Sequence, residues 1–158
     1  MHAAAFPTLF ISNDFIHNTG PVITYMARCD GDCASFQPNG NTEWFKISQA
    51  GLKQPGVPDT WAQRDLLDGS PITVELPQNL APGGYLVRHE IVALHIASSR
   101  GGAEFYPSCL QLRVNGNGNG VPDETVRFPG AYSEDHPGIL GNVRTIIILR
   151  YEFMSDSC

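Results

Sequence analysis

The apolar runs of this chain are short, rich in β-branched and aromatic residues, and closed by glycine or proline. GYLVRHEIVALH (84–95) lies between Pro82-Gly83-Gly84 and Gly101-Gly102. Such a run reads as a strand, not a helix. Others follow at short intervals: PVITYMA (21–27), EWFKI (43–47), PITVEL (71–76) and EFYPSCLQLRV (104–114), where Pro107 marks a bulge or a sheet edge. SQAGL, after the second run, reads as a short turn or helix. Residues 48–70 read as an irregular Pro/Gly-rich loop, and 121–140 show sparse periodicity. Trp44, Phe45 and Trp61 are expected in the core, Trp61 anchoring the loop. The 16 Gly and 12 Pro among 158 residues supply the turns this arrangement needs. The pattern predicts one all-β domain, a sandwich or barrel, with no internal repeat.

Several function classes drop out at once. The net charge is −6 and the only lysines are Lys46 and Lys53, so the basic face that nucleic acid demands is missing. No run reaches the ~18 apolar residues of a membrane span. His89-Glu90 followed by His95 invites a zinc-protease reading, but that helix needs histidines four apart on one face. On a strand, positions six apart share a face yet lie roughly 20 Å from each other. No pair of carboxylates stands out for glycoside hydrolysis. Cys29-Asp-Gly-Asp-Cys33 fits a small disulfide turn around Gly31, or two ligands of a zinc site. Without a matching second pair, the disulfide is the preferred reading. A disulfide points to an oxidising compartment. MHAAAFPTLFISNDF is nevertheless a poor signal peptide, with no basic residue at its start and Pro7 breaking its apolar patch.

Five segments stand in a recognisable order: GPVITYMARCDGDC (20–33), WFKISQAGL (44–52), TWAQRDLLDG (60–69), LAPGGYLVRHEIVALHIASSRGGAEFYPSCLQLRV (80–114) and FPGAYSEDHPGIL (128–140). In them the chain closely resembles the fungal, cellulose-active lytic polysaccharide monooxygenases, once grouped as glycoside hydrolase family 61. The resemblance implies an immunoglobulin/fibronectin-like antiparallel β-sandwich with long loops, incomplete here on its N-terminal side. It implies a flat face that docks on cellulose or another β-linked polysaccharide, whose glycosidic bonds are cleaved oxidatively. It also implies one copper ion in a histidine brace, built from the amino group and imidazole of a mature N-terminal His plus a second imidazole. Nitrogen ligands in a tetragonal arrangement suit Cu(II). An external electron donor, O2 or H2O2 as co-substrate, secretion and a monomeric state belong to the same picture.

Carried over by residue, the resemblance puts the axial tyrosine on Tyr106. The histidine that hydrogen-bonds the oxygen co-substrate falls on His95. The usual glutamine beside the copper falls on Glu104, a departure, since a carboxylate accepts where an amide also donates. The disulfide turn falls on Cys29 and Cys33, and the partner of Cys109 is missing. Glu104 and Tyr106 share a strand face by the two-residue period, and Gly101-Gly102 supplies the turn that returns the chain from His95. His89 and Glu90 are expected to be buried or rim residues with structural partners. His136 is expected on a surface loop, and Tyr132 in the outer loop region.

The second brace histidine should stand just before GPV. The sequence there is His17-Asn18-Thr19-Gly20-Pro21, which puts His17 near that position but out of register as a metal ligand. His2 follows Met1 and is no N-terminal ligand. Residues 1–19 and 141–158 lose the pattern that 20–140 carry, and are expected to be translated intron or another gene-model error. The chain as written is then expected to bind copper poorly. The alternative function is a non-catalytic, polysaccharide-binding sandwich remnant. A full-length transcript is expected to replace both ends; one that reads continuously through them overturns that expectation.

Overall fold

A computed structural model describes residues 16–141 apart from 55, 56 and 58. The expectations for the two ends therefore fall mostly outside the described residues. Strand β1 spans Val22–Arg28, β2 Phe45–Ala50, β3 Gly83–Ala93 and β4 Glu104–Val114, and one helix, α1, spans Ala62–Leu67. The strands form one antiparallel sheet in the order β2-β1-β3-β4. The all-β antiparallel expectation holds.

The two central strands are buried on both faces. Ile23, Tyr25, Ala27, Leu86 and Val92 point to one side, where Trp44, Trp61 and the Cys29–Cys33 disulfide complete the packing. Val22, Met26, Tyr85, Val87 and Ile91 point to the other. Met26, Val92 and Leu94 are at most 1% exposed, and each side chain buried so completely stabilises the fold by about 1.5–3 kcal/mol. β4 is an edge strand. Pro107 sits in its middle in unbroken register, opposite Glu90. It therefore marks the edge and not a bulge, because an edge strand can spare one N–H.

Four expectations need correction. SQAGL is neither turn nor helix at its start, since Ser48, Gln49 and Ala50 continue β2 against β1. The loop expected over 48–70 contains α1, whose Ala, Gln, Arg and Leu are good helix formers. That short helix is held by tertiary burial of Ala62, Gln63 and Leu66. PITVEL (71–76) is not a strand of the sheet. Its Ile72 and Leu76 instead pack separately on the sheet face carrying Val22 and Met26. Tyr132 is not an outer-loop residue either: its ring stacks on Phe105 at 5.4 Å and its hydroxyl reaches Glu90.

His89 and Glu90 are 2% and 1% exposed. Glu90 accepts hydrogen bonds from Arg88 (2.6 Å) and Tyr132 (2.8 Å). His89 has one partner, Thr24 Oγ1, 3.0 Å from its Nδ1. Its Nε2 is buried without a partner among the described residues. Burial pushes the His89 imidazole down to about 4. An unfolded histidine titrates near 6.5, so between the two values the unfolded chain binds the extra proton and folding loses ground. Stability should be full above pH ~6.5 and fall by about 3 kcal/mol as the pH drops to ~4. Urea unfolding from pH 7 to 4 measures this, and His89→Gln should flatten the profile.

Candidate metal centre

The site lies where β3 ends and β4 begins. Ala93, the last residue of β3, pairs with Glu104, the first of β4, and Ile91 pairs with Tyr106. Glu104 and Tyr106 thus share one face, as the two-residue period requires. The connecting loop is tight. A Cβ on Gly102 would stand 2.0 Å from the Ile96 carbonyl oxygen, so only glycine lets the chain turn back there.

His17 arrives from the opposite direction. The segment before β1 continues its pairing with β3: Val92 N–H donates to the Pro21 carbonyl (3.0 Å) and Leu94 N–H to the Thr19 carbonyl (2.9 Å). That ladder carries His17 alongside His95, and the two imidazoles stack at 4.2 Å with 18° between their planes. His17 Nε2 is 3.0 Å from the Tyr106 hydroxyl and 3.2 Å from Glu104 Oε2. The Tyr106 hydroxyl donates to Glu104 Oε2 at 2.6 Å. The out-of-register histidine is therefore brought into the cluster, the chain bending at Thr19 and Gly20 on its way into β1.

Because the phenol proton goes to Glu104, the Tyr106 oxygen can only accept from His17. Nε2 faces two acceptors and carries a proton in this arrangement. The hydrogen bond to Glu104 pushes the Tyr106 phenol above its ordinary value, with desolvation and the carboxylate charge adding to it.

His17, His95 and Glu104 each offer a ligand atom, all within 4.8 Å of one another. Two imidazoles, a carboxylate and a phenol form a nitrogen–oxygen donor set suited to a first-row transition metal. The residues present fit such an ion.

Cys29 and Cys33 are disulfide-bonded, with their Cα atoms 5.3 Å apart. Cys109 is an exposed free thiol. His136 lies in the 133–140 turn and accepts from Gly138 N–H at its Nδ1 (3.0 Å), outside the cluster. Sequence reasoning gave no role to Gln63, which has 0% exposure. No signal in the sequence marked it, since α1 itself falls in the stretch read as a loop.

The chain belongs to Auxiliary Activity family 9, formerly GH61, whose model matches residues 5–151. It is 51% identical over 123 residues to AA9 family lytic polysaccharide monooxygenase D of Gloeophyllum trabeum, covering 78% of this chain and 35% of that protein. It is 45% identical over 124 residues to AA9 family lytic polysaccharide monooxygenase B of Malbranchea cinnamomea, covering 78% and 49%. The chain thus spans a third to a half of these curated relatives. Among solved structures it resembles Cel61B of Hypocrea jecorina, a glycoside hydrolase family 61 member, with TM-score 0.77 and 37% identity over 87% of this chain and 59% of that one. The four-stranded sheet matches part of the β-sandwich of that family.

Replacing Glu104 by Gln should bring the Tyr106 phenol back towards ~10, since the anion that holds its proton is gone. A 13C-tyrosine NMR titration reads the shift, and an unchanged titration would show that the bond to Glu104 is absent in solution.

Proposed function

We propose that this chain carries the metal end of a copper-dependent lytic polysaccharide monooxygenase acting on cellulose or a related β-glucan. The observation that carries the reading is the meeting of His17, His95, Glu104 and Tyr106 at one sheet end, in a chain of this family. His17, Glu104 and Tyr106 would hold the ion, with His95 beside them. Bound copper would supply one-electron chemistry with O2 or H2O2, the electrons coming from an external reductant.

The chain's own residues set the conditions for that chemistry. Glu104 keeps the Tyr106 proton in place and so keeps the phenol neutral. His95 is exposed and stacked against His17, where an imidazole can hold or pass a proton. Glu104 also brings a negative charge that the family's usual glutamine lacks, which would partly neutralise a bound ion from within the site. The Cys29–Cys33 disulfide suits an oxidising compartment, in line with a secreted protein working on extracellular polysaccharide.

Because the fold brings His17 into the cluster, the poor copper binding expected from the sequence gives way to the opposite outcome: titration should show one equivalent bound with a tetragonal spectrum. Cellulose incubated with copper-loaded protein, reductant and O2 should release oxidised oligosaccharides, read by mass spectrometry. Binding to cellulose without copper-dependent products would favour the non-catalytic alternative, and purely hydrolytic products would overturn the reading.

A further inference from the structure

Gln63 is completely buried in the first turn of α1. Its Nε2 donates to the Val92 carbonyl at 2.8 Å and lies 3.5 Å from the Pro21 carbonyl. Pro21 belongs to the segment that carries His17 into β1. Val92 belongs to the end of β3 that leads to His95. One side-chain amide thus straddles the crossing of the two segments that bear the stacked imidazoles.

The crossing itself is unusually close. Gly20 adopts φ +134°, and a Cβ there would stand 2.0 Å from the Val92 carbonyl oxygen and 2.9 Å from Gln63 Nε2. Only glycine permits that approach and that conformation together. An amide also suits the position for a specific reason: its –NH2 offers two donors, and two carbonyl oxygens converge on it. Packing alone would be served by a leucine or methionine. Gln63 Oε1 is left buried without a partner among the described residues. Burying an unsatisfied acceptor is costly, so the site keeps this amide for its donors despite that cost.

We propose that Gln63 is a positioning residue of the metal centre. It pins the segment before β1 to the end of β3, and so sets where His17 lies relative to His95, Glu104 and Tyr106. This deepens the copper reading and rests on it for the metal-binding consequence. The spacing of the two imidazoles is a property of the protein alone. Gln63→Met fills a similar volume and removes both donors. Leu66→Val perturbs the same helix and leaves both carbonyl contacts in place.

The test compares these variants with the wild type in two measurements. The first is the nuclear Overhauser contact between the His17 and His95 rings in metal-free protein. The second is copper affinity by competition titration. The ring contact should be present in the wild type and in Leu66→Val. Gln63→Met should lose it while keeping its circular-dichroism spectrum, and should bind copper about tenfold more weakly; Leu66→Val should bind as the wild type does. Should Gln63→Met fail to fold, Gln63→Asn, whose amide is a methylene too short to reach, is held to the same outcomes. The proposal is overturned if the Gln63 variant retains the ring contact and the affinity, if both variants lose them equally, or if the wild type shows no ring contact. A wild type with the ring contact but no copper uptake sinks the copper reading instead, and the ring contact in Gln63→Met then decides the clamp.

Discussion

The buried carboxylate of Glu90 dictates how one face of this sheet is closed. A charge taken out of water must be paired and hydrogen-bonded in place. Here Arg88 and Tyr132 bind one carboxylate oxygen each. Tyr132 spends its only proton on Glu90, so the 2.9 Å contact between the two phenol oxygens requires Tyr25 to donate to Tyr132. The Arg88 guanidinium lies 4.3 Å from the centre of the Phe128 ring, a cation–π contact that adds a second constraint. The segment 128–132 has no regular secondary structure of its own, and this network holds it on the sheet. The carboxylate turns a loop into part of the core.

The other face is closed by apolar packing, with α1 against Val22 and Ile91. The two closures leave the end of the sheet between them open. That end is where the ladder between β1 and β3 runs past its regular limits, and where β3 turns into β4. The cluster of His17, His95, Glu104 and Tyr106 occupies this open end, presented by rigid strands and positioned by their register.

The central fold was legible in the sequence for a physical reason. β1 and β3 are apolar, β-branched runs bounded by glycine or proline, and burial of both their faces leaves little other use for them, while β4 shows through its Phe105-Tyr106 pair and the alternating Leu110, Leu112 and Val114. Residues 71–76 misled because alternation signals a half-buried chain, whether or not a neighbouring strand supplies hydrogen bonds. α1 was hidden because six residues are too few for a periodic pattern to show. Tyr106 and Glu104 were legible through their spacing and family resemblance. Resemblance alone left His17 displaced, since register was counted along the chain. In the fold, the ladder from Pro21 to Thr19 carries the backbone past Gly20 and delivers the imidazole to the cluster. Gln63 carries no chemistry that a motif would report, and only the contact with two carbonyls reveals its use.

The hydrogen bonds within the cluster also fix its protons. Glu104 Oε2 takes the Tyr106 proton at 2.6 Å, leaving the phenol oxygen as an acceptor. His17 Nε2 then faces that oxygen and the carboxylate, both acceptors, and must carry hydrogen itself. A metal binds imidazole through a bare nitrogen. On the copper reading, that hydrogen would have to leave Nε2 before His17 could bind the ion. Hydrogen bonds alone gather the three side chains at the sheet end.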